Sequence, residues 1–296
     1  MNKIIALFLV FLVHEKGLTQ RLSWAQWDKI ISQKGETILS DTIAQHRQEA
    51  VDFVMDFFNE HLNDPTSFQE KFIDSKFLSI LYPEDSSFRI ITGQLFIDNN
   101  SYRYYGGIQK SNGVFIPFTD RSYENEEEGL TNEELRAEEW QGALYYRLFD
   151  CKLKGKPYYL LLGFNGYSFF NKRKTIEILS FDANDQQLFG KDVFIKDSTD
   201  GADIPLRYIF TYSADVSMQL NYEKEEDLLI LDHLIPMSEI YKGQGETAVP
   251  DGTYEAFQYK KGRWKHISFL PQRFMNKSEM NSIPKNKTKQ FGRTEE

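Results

Sequence analysis

The feature that most constrains this chain is a change of hydrophobic period near Tyr82-Pro83. Before it, from Ser23 to about Asn63, apolar residues recur at helical spacing. After it, short segments alternate apolar and polar side chains. Ser23 is placed to cap a first helix carrying Trp24, Trp27, Ile30 and Ile31, expected to end near Gly35. A second helix is expected from about Ile38 to Leu62. At about 100° per residue, Ala50, Val51, Val54, Phe57, Phe58 and Leu62 fall on one side, and Glu49, Asp52, Asp56, Asn59 and Glu60 on the other. Asn63-Asp64-Pro65 is the stop. The apolar arc is wide, so this helix must pack on the rest of the chain or on a partner helix.

From Phe88 the period is two. Phe88–Thr92 and Tyr102–Tyr105 flank Asp98-Asn99-Asn100-Ser101, a turn sequence. Further strands are expected at Val114–Phe118, Ala143–Cys151, Tyr158–Phe164, Thr175–Phe181, Val193–Ile195 and Tyr208–Tyr212. Others follow at Ser217–Tyr222, Leu228–His233, Thr253–Tyr259 and Trp264–Phe269. Connections such as Lys154-Gly155-Lys156-Pro157, Asn165-Gly166 and Lys260-Lys261-Gly262-Arg263 are too short for parallel crossovers, so neighbouring strands should run antiparallel. The expected fold class is therefore α+β: N-terminal amphipathic helices followed by a large antiparallel β meander. That meander would be a barrel or a sandwich, with a small propeller as the alternative, although no blade-length repeat stands out.

Composition agrees with a sheet-rich body. The 296 residues include 24 Phe, 16 Tyr and 4 Trp, side chains that suit a pleated, half-buried surface. The formal net charge of −9 disfavours nucleic acid, which needs clustered Lys and Arg. At the start, Lys3 precedes an apolar run from Ile4 to Val13 and a polar exit from His14 to Gln20, the layout of a secretory signal peptide. Ten apolar residues span only about 15 Å as a helix, so no transmembrane anchor is expected there. Gly17-Leu18-Thr19 is the best cleavage match. The expected organisation is a signal peptide over 1–19, a helical segment over 20–82, an antiparallel β domain over 83–270 and a disordered polar tail over 271–296. Export implies a periplasmic or secreted protein. Cys151 is the only cysteine, so no internal disulfide can form. Glu124–Glu139 is acidic and looks peripheral, with Thr131-Asn132-Glu133-Glu134 able to cap a short helix.

Several stretches carry a resemblance. They include Trp140-Gln141-Gly142-Ala143-Leu144-Tyr145-Tyr146, Tyr158-Tyr159-Leu160-Leu161-Leu162-Gly163 and Lys174–Phe181. Phe189-Gly190, Val193-Phe194, Tyr212-Ser213-Ala214, Asp232-His233-Leu234 and Pro250-Asp251-Gly252-Thr253-Tyr254 continue the series. From about Phe88 to Ile267 the chain resembles a family of uncharacterised exported bacterial proteins. The resemblance implies export and a β body, and it brings no activity with it.

Motifs for chemistry are sparse. His46 and His61 lie fifteen residues apart, about 22 Å along a helix, and cannot share an ion; no metal or cofactor is expected. Gly166-Tyr167-Ser168 is followed by Phe169, which rules out a nucleophile elbow. Cys151 sits in an apolar strand, the setting of an inert thiol. Gly243-Gln244-Gly245 opens no helix and reads as a loop. Asp232-His233 invites a dyad, but strand neighbours point to opposite faces, so Asp232 is expected to be structural, bonded by backbone amides or an arginine. Sequons at Asn99, Asn276 and Asn286 mark surface turns. Trp140, Tyr145 and Tyr146 are the candidate ligand-binding aromatics, able to stack on sugar rings. The expected function is non-enzymatic: an exported envelope or secreted protein binding a protein or glycan through its β domain. Alternatives are a hydrolase with a site assembled from separate strands and a structural envelope component.

Overall fold

The computed structural model describes residues 22–99, 101–124, 127–195, 204–224, 226–238 and 247–270. The signal peptide expected over 1–19, the loop expected at Gly243-Gln244-Gly245 and the disordered tail expected over 271–296 lie outside the described residues. Among the described residues two long helices, α1 (Trp24–Ser40) and α2 (Ala44–His61), precede fourteen strands, with a short α3 (Glu127–Asn132) between β4 and β5. The strands are β1 (Ser79–Leu81), β2 (Phe88–Asp98), β3 (Ser101–Lys110), β4 (Phe115–Pro117), β5 (Leu144–Leu153), β6 (Lys156–Asn165) and β7 (Asn171–Phe181). There follow β8 (Gln187–Phe189), β9 (Phe194–Ile195), β10 (Tyr208–Ser213), β11 (Leu220–Glu223), β12 (Leu228–Met237), β13 (Thr247–Lys260) and β14 (Arg263–Ile267).

The chain is α+β with a β-rich body, and among the described residues none of the three sheets closes into a barrel. The first sheet has the order β1-β2-β3-β4, the second β10-β7-β6-β5 with β8 beside β7, and the third β11-β12-β13-β14-β9. All pairs are antiparallel except β9 with β14, which are far apart in sequence and so escape the short-connection constraint.

Burial shows how these layers stack. On β2 and β3, Ile91, Leu95 and Tyr105 face the helices and join Ile31, Ile38, Val51, Val54 and Phe58. Phe88, Ile90, Tyr104 and Ile108 point the other way and meet Tyr145, Tyr159 and Leu161 of the second sheet. The opposite face of that sheet, with Tyr158, Leu160, Leu162, Ile176 and Ile178, packs on Leu229, Leu231, Phe257 and Trp264 of the third. The order is helices, first sheet, second sheet, third sheet. The run Leu160-Leu161-Leu162 is wholly apolar because its strand is covered on both faces.

Local boundaries differ from expectation for identifiable reasons. Ser23 and Gln26 form the capping box that starts α1. The helix runs through Gly35, because a Cβ there would collide with the Phe77 ring and glycine alone lets the two meet. The break between helices falls instead at Asp41–Ile43, where the Asp41 carboxylate accepts from the Ile43 amide at 2.7 Å. All six residues of the expected apolar stripe on α2, Ala50 to Leu62, are buried, and they pack in cis. Beneath them, fully buried Arg89 donates Nε–H to Gln109 at 2.7 Å and Nη2–H to the Ser67 carbonyl at 3.0 Å, tying the 65–69 turn to β2.

The acidic segment is not peripheral. Leu130, Leu135 and Ala137 are buried in the core between the first two sheets, and Leu135 exchanges backbone hydrogen bonds with Phe189 at 2.8 Å. Its helix, α3, ends at Asn132, where the capping motif had placed a beginning. Apolar residues between the glutamates, not the charges, decide where this segment goes.

Candidate binding site

Of the three candidate aromatics, Trp140 and Tyr145 are fully buried, and the indole Nε1–H donates to the Tyr145 hydroxyl at 2.9 Å. Their rings are part of the core between the first two sheets, so neither presents a face to a ligand in this conformation. Tyr146 is half-buried, with its hydroxyl donating to the Leu220 carbonyl at 3.2 Å across the second and third sheets. Core packing occupies all three, because a pattern of period two does not say which alternate face another sheet will cover.

Two of the exposed aromatics, Phe96 and Phe169, meet at a different place. Phe96, Asn99 and Tyr102 from the β2–β3 hairpin, Ser168, Phe169 and Phe170 from the β6–β7 connection, Lys172, and Ala214 and Asp215 after β10 line a cleft of about 660 Å³. Phe169 is 56 % exposed, unusual for a phenylalanine, and meets Phe170 edge-on at 5.0 Å. Across the cleft, the Phe96 and Tyr102 rings are 5.5 Å apart.

The walls are held from behind. Buried Arg47 donates to the Phe96 and Ile97 carbonyls at 3.0 Å each and stacks on the Phe96 ring at 5.1 Å. The Tyr102 ring lies against Gly166, where a Cβ would sit 2.8 Å from it. Asn165 accepts from the Tyr167 amide at 2.7 Å and donates to the Gly142 carbonyl at 3.0 Å, starting the tight turn that presents Phe169. The Asn171 amide donates to Ser168 Oγ at 3.1 Å, and Lys172 Nζ donates to the Ala214 carbonyl at 3.2 Å. The only sequence signal for this site was a Phe-Phe pair inside a turn segment beginning Asn165-Gly166, since apolar residues in turns lack the usual reason to be buried.

No family model, curated protein or solved structure matches the chain, so the chemistry of the site rests on its own residues. Among the described residues the cleft lining holds one carboxylate, Asp215, one ammonium, Lys172, and neither histidine nor cysteine. It can stack rings and bond hydroxyls, but it lacks a paired acid and base.

The other groups capable of chemistry are engaged structurally. Asp232 accepts from the Gln219 amide at 2.6 Å and is 8 % exposed. Burial pushes its carboxyl above the usual range, against the pull of that amide and of Lys174. His233 turns instead to Asp251, 3.0 Å away, and the pair register shifts between Asp232 and Leu234. The strand is therefore irregular at this point, yet the two side chains still diverge. Asp251, His233, Glu255 and His266 form a chain of alternating carboxylates and imidazoles, with His266 Nε2 2.6 Å from Glu255. Among the described residues no group of three or more such side chains is arranged to hold a metal ion. His46 is 3.1 Å from Asp41, and His61 stands edge-on to Trp27 at 4.8 Å. Cys151 is buried, which pushes its thiol up to about 12 and leaves no thiolate nucleophile at neutral pH.

Proposed function

We propose that this chain is an exported, non-enzymatic binding protein that takes a glycan on its aromatic cleft. The observation that carries this reading is the exposed Phe169 at a 660 Å³ cleft shared with Phe96, Tyr102 and Phe170. Sugar rings present C–H faces that lie on aromatic rings, while their hydroxyls bond groups such as Asn99, Ser168 and Asp215 at the same cleft. Hydrolysis of a glycosidic bond ordinarily needs two carboxylates flanking it, and the lining offers one.

Isothermal titration with chitooligosaccharides, peptidoglycan fragments and xylo-oligosaccharides tests the proposal. One class should bind, and Phe169→Ala should weaken it about tenfold, equivalent to about 1.4 kcal/mol. Failure of every class, or an unchanged curve for Phe169→Ala, refutes it. Export is supported by Lys3 and the Ile4–Val13 run. Intact-mass analysis of protein made in its own host should show loss of about the first nineteen residues. Full-length chain in the cytosol would overturn that part. No helix among the described residues is long and apolar enough to cross a membrane.

A further inference from the structure

On the face of the second sheet that meets the third, Lys174 of β7 is set among aromatic rings. Its cross-strand partners are Phe210 on β10 and Phe164 on β6, whose side chains share its face. Its ammonium lies 5.4 Å from the ring centre of Tyr146 on β5, so the row crosses all four strands of the sheet path. We propose that Lys174 is a nucleophilic amine that captures an aromatic aldehyde as an imine. The aromatic cleft takes Lys172 from this strand instead, so glycan binding and imine formation stand or fall separately.

The rings decide the chemistry of the amine. An ammonium placed among them gives up water, and attraction to the ring faces returns part of that loss. The neutral amine, with its lone pair available, is correspondingly favoured. Burial pushes the Lys174 amine below the usual lysine range, against the pull of Asp232. Desolvation of this kind is what turns a lysine into a nucleophile for carbonyl compounds. Lys174, Phe164, Phe210 and Tyr146 are all half-buried, so the row keeps part of its surface open to a ligand.

The same rings select the aldehyde. A flat aromatic ring can stack beside Phe164 or Phe210 while its carbonyl carbon meets Nζ. The Nζ lone pair then bonds that carbon, the two amine protons pass to the carbonyl oxygen, the C–O bond breaks and water leaves. The imine carries no charge, which suits a site that disfavours one.

Reductive trapping on the full chain tests the proposal. Benzaldehyde at limiting concentration is added with cyanoborohydride, which reduces each imine to a stable amine, and peptide mass mapping reads the label at every lysine. Lys174 should be labelled at least about tenfold faster than the exposed Lys29, with a rate that saturates as benzaldehyde rises. Glycolaldehyde, which has no ring to stack, should show a preference for Lys174 at least about threefold smaller. In urea, where the row is dispersed, the benzaldehyde preference should vanish. Labelling of Lys174 no faster than Lys29 overturns the proposal. So does an equal preference with the two aldehydes, or one that persists in the unfolded chain.

Discussion

Replacing Arg207 by methionine tests how the interior between the first two sheets is held. The Arg207 guanidinium and the Glu177 carboxylate are both fully buried, with Nε 2.9 and 3.2 Å from the two carboxylate oxygens. Arg207 also donates to the carbonyls of Leu130, Glu133 and Phe189, so one side chain ties α3 and β8 to β7. Glu177 accepts as well from Gln141 at 2.6 Å and from the Ile178 amide at 2.9 Å. Burial pushes the Glu177 carboxyl up, and Arg207 is the first of the groups that draw it back. Arg207→Met strands a buried carboxylate, which costs about 3–5 kcal/mol. It also leaves three carbonyls without their donor, each worth about 1–3 kcal/mol if unsatisfied. These losses share one site and do not add, so the expected total is about 5 kcal/mol.

The double variant Arg207→Met/Glu177→Leu removes the stranded charge but not the orphaned carbonyls. It should recover about 2–3 kcal/mol of the loss. In the single variant the folded-state pKa of Glu177 rises further. The folded protein then binds the proton more tightly than the unfolded chain, so stability falls as pH rises through the folded value and the deficit shrinks toward acid. Urea unfolding followed by circular dichroism at several pH values measures all of this. A loss below about 1 kcal/mol, or a double variant no better than the single, would refute the reasoning.

Two further substitutions probe the other layers. Phe57→Asp should destabilise by about 3–5 kcal/mol, because the ring is 4 % exposed and packed against Trp24, Trp27 and Phe72; an unchanged melting temperature would contradict the packing. Asp232→Ala should cost about 1–3 kcal/mol by leaving the Gln219 amide without its partner, and should not alter binding at the aromatic cleft. Full stability with lost binding would move the site to this strand end.

The sequence carried the fold further than it carried the site. Helices and most strands were legible because period, caps and turn residues are local signals, as at Ser23 and Asn165-Gly166. The short strands β1 and β8 were not, since three residues contain too little alternation to register. Nor was the stacking order, because Tyr145 and Tyr146 look alike until the first sheet covers one and the third covers the other. Gly35 misled for a related reason. Glycine ends helices when it takes a left-handed conformation, but here it is buried within α1 to admit the Phe77 ring, a contact 42 positions away in the chain and invisible to local pattern. The cleft was hidden because its walls come from three separate connections.

Among the described residues three open sheets leave six borders at which a foreign strand could add. Most are poor templates. The first sheet is bounded by β1 and β4, of three residues each, and the third by β11 and β9, of four and two. On the second sheet, one border is divided between β10 and the three-residue β8. The other is β5, ten residues long, whose register slips between Tyr145 and Arg147 and which exposes Arg147, Asp150 and Lys152. A bulge and alternating charges on a long edge are what keep a sheet from recruiting its neighbours. Short outer strands and a bulged, charged β5 thus oppose strand addition along the stretches of edge that they form, in a protein that stacks its sheets without closing any of them.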